Sequence, residues 1–154
     1  MTIRAYHPCD SRTLWEIFYS AIHQTAAADY TPDQLNAWAP AQPDFEQWAL
    51  RMEKRKPFLA EMDGKIVGYA DLQADGCIDH FFVAGSMVRR GVGSALMRHI
   101  LQHAGVRGLG RVYSHVSITA RPFFERFGFE VHTAQQVCIR GVILNNFLMQ
   151  MLLQ

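Results

Sequence analysis

Cysteine is scarce. Cys9, Cys77 and Cys138 are odd in number, widely spaced and without a CxxC pair, so no disulfide framework is encoded and reduced thiols are expected. Long apolar runs are missing too: none approaches the roughly 18 residues of a membrane helix, and the opening MTIRAYHPCD has no signal-peptide core. Both absences predict a cytoplasmic protein with no membrane partner. Charge of one sign is not in excess either. Fifteen Lys and Arg against fourteen Asp and Glu remove any whole-chain basis for attraction to nucleic acid, so an anion site must be local. What is present is 49% hydrophobic and 12% aromatic residues in 154, enough for one domain over residues 1–154 with a core that needs neither disulfide nor metal.

Residues 3–6 predict a short strand, after which Leu14, Ile17, Phe18, Ala21 and Ile22 fall on one helical face behind Asp10 as cap. Thr31, Pro32 and Gln34 have capping-box spacing for a short second helix closed by Pro40. Asp44 and Gln47 repeat the pattern for a third, whose stripe Phe45, Trp48, Ala49 and Met52 ends before Pro57. The period then changes. FLAEM and IVGYADL, parted by DGK, predict an antiparallel hairpin turning at Asp63 and Gly64. CIDHFFV, residues 77–83, is a further strand that leads through AGSM into VRRGVGSAL and a helix reaching about Ala104, with Gly105 as its stop. RVYSHVS is a strand, ITARPFFERF a helix closed by Gly128, and residues 129–153 two strands turning near Arg140 and Gly141. The element order is βα(αα)ββ, βαβα, ββ, an α/β (α+β) chain without repeats or linkers.

A strand, a turn holding Arg89, Arg90, Gly91 and Gly93, and then a helix is a physical recipe for binding phosphate. A helix start leaves N–H groups unpaired, glycines let a ligand approach the backbone, and arginines add charge-assisted bonds. The GK[ST] ending of a P-loop is absent, as is the third glycine of a dinucleotide fingerprint, which argues against a nucleotide-binding interaction domain. By itself the GVG pattern weighs about evenly against a plain turn with two solvated arginines.

Two motifs together say more. VRRGVG at Val88 to Gly93 and ARPFFERFGF at Ala120 to Phe129, in this order and on these elements, resemble the GCN5-related N-acetyltransferase (GNAT) superfamily over about residues 58–130. SITARPFFERFGF, IRGVILNNFLM and DYTPDQLNAWA resemble its YafP-like branch. The resemblance implies a mixed, mostly antiparallel central sheet flanked by helices, with a splayed parallel strand pair holding acetyl-CoA. The pyrophosphate would lie on the backbone of residues 89–94, that is Arg89, Arg90, Gly91, Val92, Gly93 and Ser94, and the pantetheine would pair with Phe82 and Val83. Two positions depart from the family pattern: Val88 replaces the Gln or Arg that opens the phosphate motif, and Phe124 replaces a tyrosine that often serves as general acid. Ser117 stands where many members carry an Asn near the pantetheine, and it is also suited to cap the following helix.

Acetyl transfer to an amine needs a neutral nucleophile, a stabilised oxyanion and a departing thiolate. Alkyl amines have pKa values near 10, so a base or a proton-conducting water must help at neutral pH. Asp79 is the candidate base, four residues before Val83 and therefore on the same face, with His80 on the opposite face; an ordinary hydrogen bond or ion pair for Asp79 weighs about equally. His115 is an alternative base or acid, although a strand histidine satisfied by its neighbours suits it better. The resemblance places the acceptor pocket among the N-terminal helices and the last hairpin, where His23, Tyr30 and Trp38 are candidates, although packing suits the two aromatics better. Aromatic lining without an acidic cluster favours a small apolar or aromatic primary amine over a polycation. His99 and His103 have i, i+4 spacing, but with no third ligand evident they are expected to pack, and no metal is expected. The expectation is an acetyl-CoA-dependent N-acetyltransferase acting on a small-molecule amine. A non-catalytic acyl-CoA-binding module is the rival, and a homodimer stays open.

Overall fold

A computed structural model describes residues 1–154. The strands are β1 (Thr2–Ala5), β2 (Phe58–Met62), β3 (Lys65–Ala70), β4 (Phe81–Val83), β5 (Arg111–Ser117), β6 (Glu130–Ile139) and β7 (Val142–Leu152). The helices are α1 (Ser11–Ser20), α2 (Pro32–Trp38), α3 (Phe45–Arg55), α4 (Val92–Val106) and α5 (Arg121–Arg126), with a π turn and a 3₁₀ turn extending α1 through Ala28. Local chemistry accounts for most of these boundaries. Thr31 and Gln34 close the capping box on α2, and the Gln47 N–H donates to the Asp44 carboxylate at the start of α3. Asp63–Gly64 and Arg140–Gly141 both turn with positive φ at two successive residues, the geometry that matches the twist of paired strands.

Two antiparallel sheets result, ordered β1-β2-β3-β4 and β5-β7-β6. They meet along a very short parallel seam: a bridge between Cys77 and Tyr113, the Ile78 N–H to the Tyr113 carbonyl at 2.8 Å, and Ser114 Oγ to the Ile78 carbonyl at 2.6 Å. Beyond Ile78 no ladder joins the two sheets, and β4 and β5 part.

The strand expected over 77–83 is therefore regular only over Phe81–Val83. Asp71 is the cause. Its carboxylate is fully buried, and one oxygen accepts the N–H groups of both Asp79 and His80, at 2.7 and 2.8 Å. Two other expectations are also corrected. Asp10 does not cap α1; its carboxylate accepts the His7 N–H and pairs with Arg4. Gly105 does not stop α4, which runs to Val106 and ends where Gly108 takes a positive φ.

Helix α4 lies on one face of the β2–β3 region through Val92, Leu96, Met97, Ile100 and Ala104, all buried. Gly68 of β3 permits this approach, since a Cβ there would lie 3.0 Å from Val92 Cγ1 and 3.2 Å from Leu96 Cδ1. Helices α1 and α3 cover the opposite face, with Leu14, Phe18, Trp48 and Met52 against Leu59 and Tyr69. No helix is long and apolar enough to cross a membrane.

Burial raises the Asp71 carboxyl from 3.8 to about 6. A folded-state pKa above the unfolded one means that Asp71 costs stability as pH rises through roughly 4 to 6. Asp71→Asn removes that titration. Relative to the wild type, the variant should gain on the order of 2–3 kcal/mol between pH 4 and pH 7. Urea unfolding of both proteins at the two pH values checks this, and a pH-independent difference would contradict it.

Candidate functional site

Where β4 and β5 part, backbone groups are left without partners. The bonds Asp71 N–H to His80 O and Ala84 N–H to Val67 O set the alternation of the β3–β4 ladder. They direct Phe82 toward β3 and turn the N–H and C=O of Phe81 and Val83 to the gap. On β5 the bond Leu153 N–H to Gly110 O and the register with β7 likewise turn His115 and Ser117 to the gap. The free backbone edge expected at Phe82 and Val83 is thus that of Phe81 and Val83, because the Phe82 backbone is spent on Tyr69.

A groove of about 390 Å³ opens over this gap and extends to the start of α4. Arg89 has φ 63° and Gly91 φ 82°, so the chain curls into the helix with its amides outward. The first helical bond is Ala95 N–H to Gly91 O, which leaves the N–H groups of Val92, Gly93 and Ser94 facing the groove mouth without helical partners. Every residue assigned to the donor side lines this groove except Arg90, which is solvated beside it. Val88 and Phe124 are part of the wall, and Phe124 is buried against Phe81 and Phe129. Ser117 lines the groove while its Oγ accepts the Ala120 N–H at 3.0 Å, so it also ties down the entry to α5. Phe81, Phe123 and Arg126 belong to the wall as well and carry no motif that marks them in the sequence.

A second cavity of about 330 Å³ lies on the other side of the gap. Trp38, Phe82 and Ser117 line both cavities, so the two meet at that wall. Tyr30 is here, buried, its hydroxyl donating to the Asn145 carbonyl at 2.6 Å and accepting the Ile118 N–H at 3.0 Å. His23 lines neither cavity. Its ring stacks on Tyr19 at 4.0 Å and its Nε2 lies 2.7 Å from the Ala39 carbonyl oxygen, because the π turn after α1 rotates it away from the gap.

Asp79 lines the second cavity and is ion-paired with Arg55, whose Nε is 2.6 Å from its carboxylate. His80 lines it too rather than facing away, since residues 77–80 have left the strand alternation. Its ring packs among Phe18, Trp48, Tyr69 and Phe82, and its Nδ1 shares a 3.0 Å hydrogen bond with the Tyr69 hydroxyl. Burial, with Arg55 nearby, pushes the imidazole far below its ordinary range and keeps it neutral. His115 is exposed at the rim, its Nδ1 2.7 Å from Gln135 Nε2. His99 and His103 lie away from both cavities, packed with each other and with Phe58.

This geometry can be compared with known proteins. Residues 26–151 match the family described as Acetyltransferase (GNAT) domain. The chain belongs to the GNAT family. It is an acetyltransferase. The match runs well beyond the stretch 58–130 that carries the motifs. The uncharacterized N-acetyltransferase YafP of Escherichia coli (strain K12) is 36% identical over 148 residues, which cover 96% of this chain and 93% of that one. The crystal structure of a GCN5-related N-acetyltransferase from Rhodopseudomonas palustris superposes with a TM-score of 0.94 at 32% identity, covering 99% and 95% of the two chains. yncA of Salmonella typhimurium, solved with its cofactor acetyl-CoA, shares the fold with a TM-score of 0.75 at 20% identity over 100% and 94%.

The Tyr30 hydroxyl joins the segment before α2 to both β5 and β7 at the wall of the second cavity. Tyr30→Phe strands the Ile118 N–H and the Asn145 carbonyl and should cost about 1–3 kcal/mol in urea unfolding. An unchanged unfolding midpoint would mean that water replaces the hydroxyl at no cost.

Proposed function

We propose that this acetyltransferase moves an acetyl group from acetyl-CoA to the primary amine of a small molecule. The observation that carries the proposal is the meeting of the two cavities at the β4–β5 gap, beside the outward N–H of Val83. The residues present suit acetyl-CoA: outward amides at Val92, Gly93 and Ser94 with Arg89 for phosphates, free strand edges at Phe81 and Val83 for the amide-bearing arm, and apolar rings along the groove. Arg90, next to the groove but outside its wall, adds only long-range charge.

Acetyl-CoA supplies an activated thioester whose thiolate, with a pKa near the ~8.5 of cysteine, leaves without a strong acid. A phenylalanine at position 124 is compatible with that chemistry. The Val83 N–H polarises the carbonyl that is attacked, a donor fixed in place before the reaction and costing no reorganisation. Asp79 takes the ammonium proton of the acceptor, held on the cavity wall by Arg55. Tyr30 and Trp38 shape the acceptor side.

Thiol release from acetyl-CoA, followed across a panel of amines, tests the proposal, and no stimulation by any amine would sink it. Gly93→Val should abolish acetyl-CoA-dependent thermal stabilisation. A Cβ at Gly93 lies 3.2 Å from the Phe123 ring, so the added methyls would push that ring into the groove. Asp79→Asn should lower turnover by about 10²- to 10⁴-fold near neutral pH, with the loss shrinking as the amine deprotonates in solution. Wild-type rates across the pH range would move the base to His115 or to water.

A further inference from the structure

The second cavity has a charge pattern that the transfer chemistry does not use. Arg51 of α3 lines it and makes neither an ion pair nor a hydrogen bond, although its charge is close enough to depress the His80 imidazole. Arg140, at the turn between β6 and β7, also lines it, and the only contact of its guanidinium is one N–H to the Ala37 carbonyl. Asp79 is the only carboxylate on the wall, and it is paired with Arg55, which also lies 3.7 Å from the Asp71 carboxylate. His80 is neutral. The cavity therefore presents uncompensated positive charge beside aromatic rings.

Asn146 supplies the second observation. It lines the same cavity, its Oδ1 is buried, and no donor reaches it. In the β5–β7 register it lies opposite Ser117, a residue common to both cavities, and so it sits near the junction. A buried acceptor without a donor is rare in folded proteins and calls for a ligand N–H or a water. An amine entering the junction carries such N–H groups.

We propose that the acceptor is an amino acid or close analogue with an aromatic or bulky apolar side chain. Its carboxylate is held by Arg51, with Arg140 a second cation on the same cavity, and its amine is held by the Asn146 side-chain carbonyl. This assignment rests on the acetyl-transfer reading and names its acceptor class. A guanidinium is the group of choice for a carboxylate, because its fork matches both oxygens. Trp38, Trp48 and Phe82 give the side chain an apolar wall, and a cavity of about 330 Å³ is of the size that takes one small molecule. A polyamine would meet the same arginines as like charge.

Binding can be read without acetyl-CoA, because Trp15, Trp38 and Trp48 line the cavity and report a ligand through their fluorescence. Phenylalanine, phenethylamine and spermidine are titrated into the wild type, Arg51→Gln and Asn146→Leu. Phenylalanine should bind at least about tenfold tighter than phenethylamine, and spermidine weakest of the three. Arg51→Gln should erase the advantage of the carboxylate, and Asn146→Leu should weaken both aromatic ligands. Equal or tighter binding of phenethylamine, equal weakening of both ligands by Arg51→Gln, or no detectable phenylalanine binding overturns the assignment. Carboxylate-dependent binding without any thiol release would uphold the cavity and sink the transfer reading. Thiol release driven only by amines that lack a carboxylate does the reverse.

Discussion

One buried carboxylate decides where this chain can bind anything. In a regular strand continuing from Ile78 the His80 N–H would point toward β5 and extend the parallel seam that Ile78 and Tyr113 begin. Asp71 takes that N–H, together with the Asp79 N–H, on a single oxygen. The parallel ladder stops there and the two sheets part. Burying a carboxylate is costly unless its oxygens are satisfied, and Asp71 is satisfied by the two amides and by Gln73 Nε2 at 2.7 Å, with Arg55 at 3.7 Å. The raised pKa of Asp71 records the part of the desolvation cost that these bonds do not offset.

From that divergence the division of labour follows. One side of the gap is closed by α4 and α5 and carries no carboxylate or imidazole, with Phe81, Phe123 and Phe124 in its wall. The other side is closed by α1, α3 and the β6–β7 hairpin and holds the titratable groups Asp79, His80 and His115. Phe82 is the partition. Its backbone is paired with β3, so its ring is fixed between the cavities, where it packs edge-on against Phe18 and Trp38.

Features written in local sequence were legible: the caps at Thr31 and Asp44, the two positive-φ turns, and the basic glycine stretch that opens α4. Each depends on residues within a few positions of one another, and each took the geometry its chemistry requires. Contacts set by distant residues were not legible. Nothing around DLQADG marks Asp71 as the acceptor for amides eight and nine residues away, and so CIDHFFV read as one strand. His23 was misplaced because a π turn adds a residue to the helical period, and that turn has no sequence signature. Arg51 is an exposed helix cation, and only the packing of α3 across the mouth of the second cavity places it on that cavity's wall.

The two departures from the family pattern are physically linked to this division. Phe124 is buried among Phe81, Phe123 and Phe129, and a hydroxyl added there would need a partner that those rings do not supply. The groove thus carries no acidic side chain, its O–H donors being Thr25, Ser94, Ser117 and Thr119, and Val88 contributes no polar side chain to it. The carboxylate of Asp79 and the imidazoles of His80 and His115 lie across the partition in the second cavity. In the proposed transfer the thiolate needs no acid near neutral pH, whereas the ammonium must lose a proton before it can attack. Arg55, by pairing with Asp79 directly, fixes that carboxylate on the wall from which, in the proposed transfer, it meets the acceptor amine.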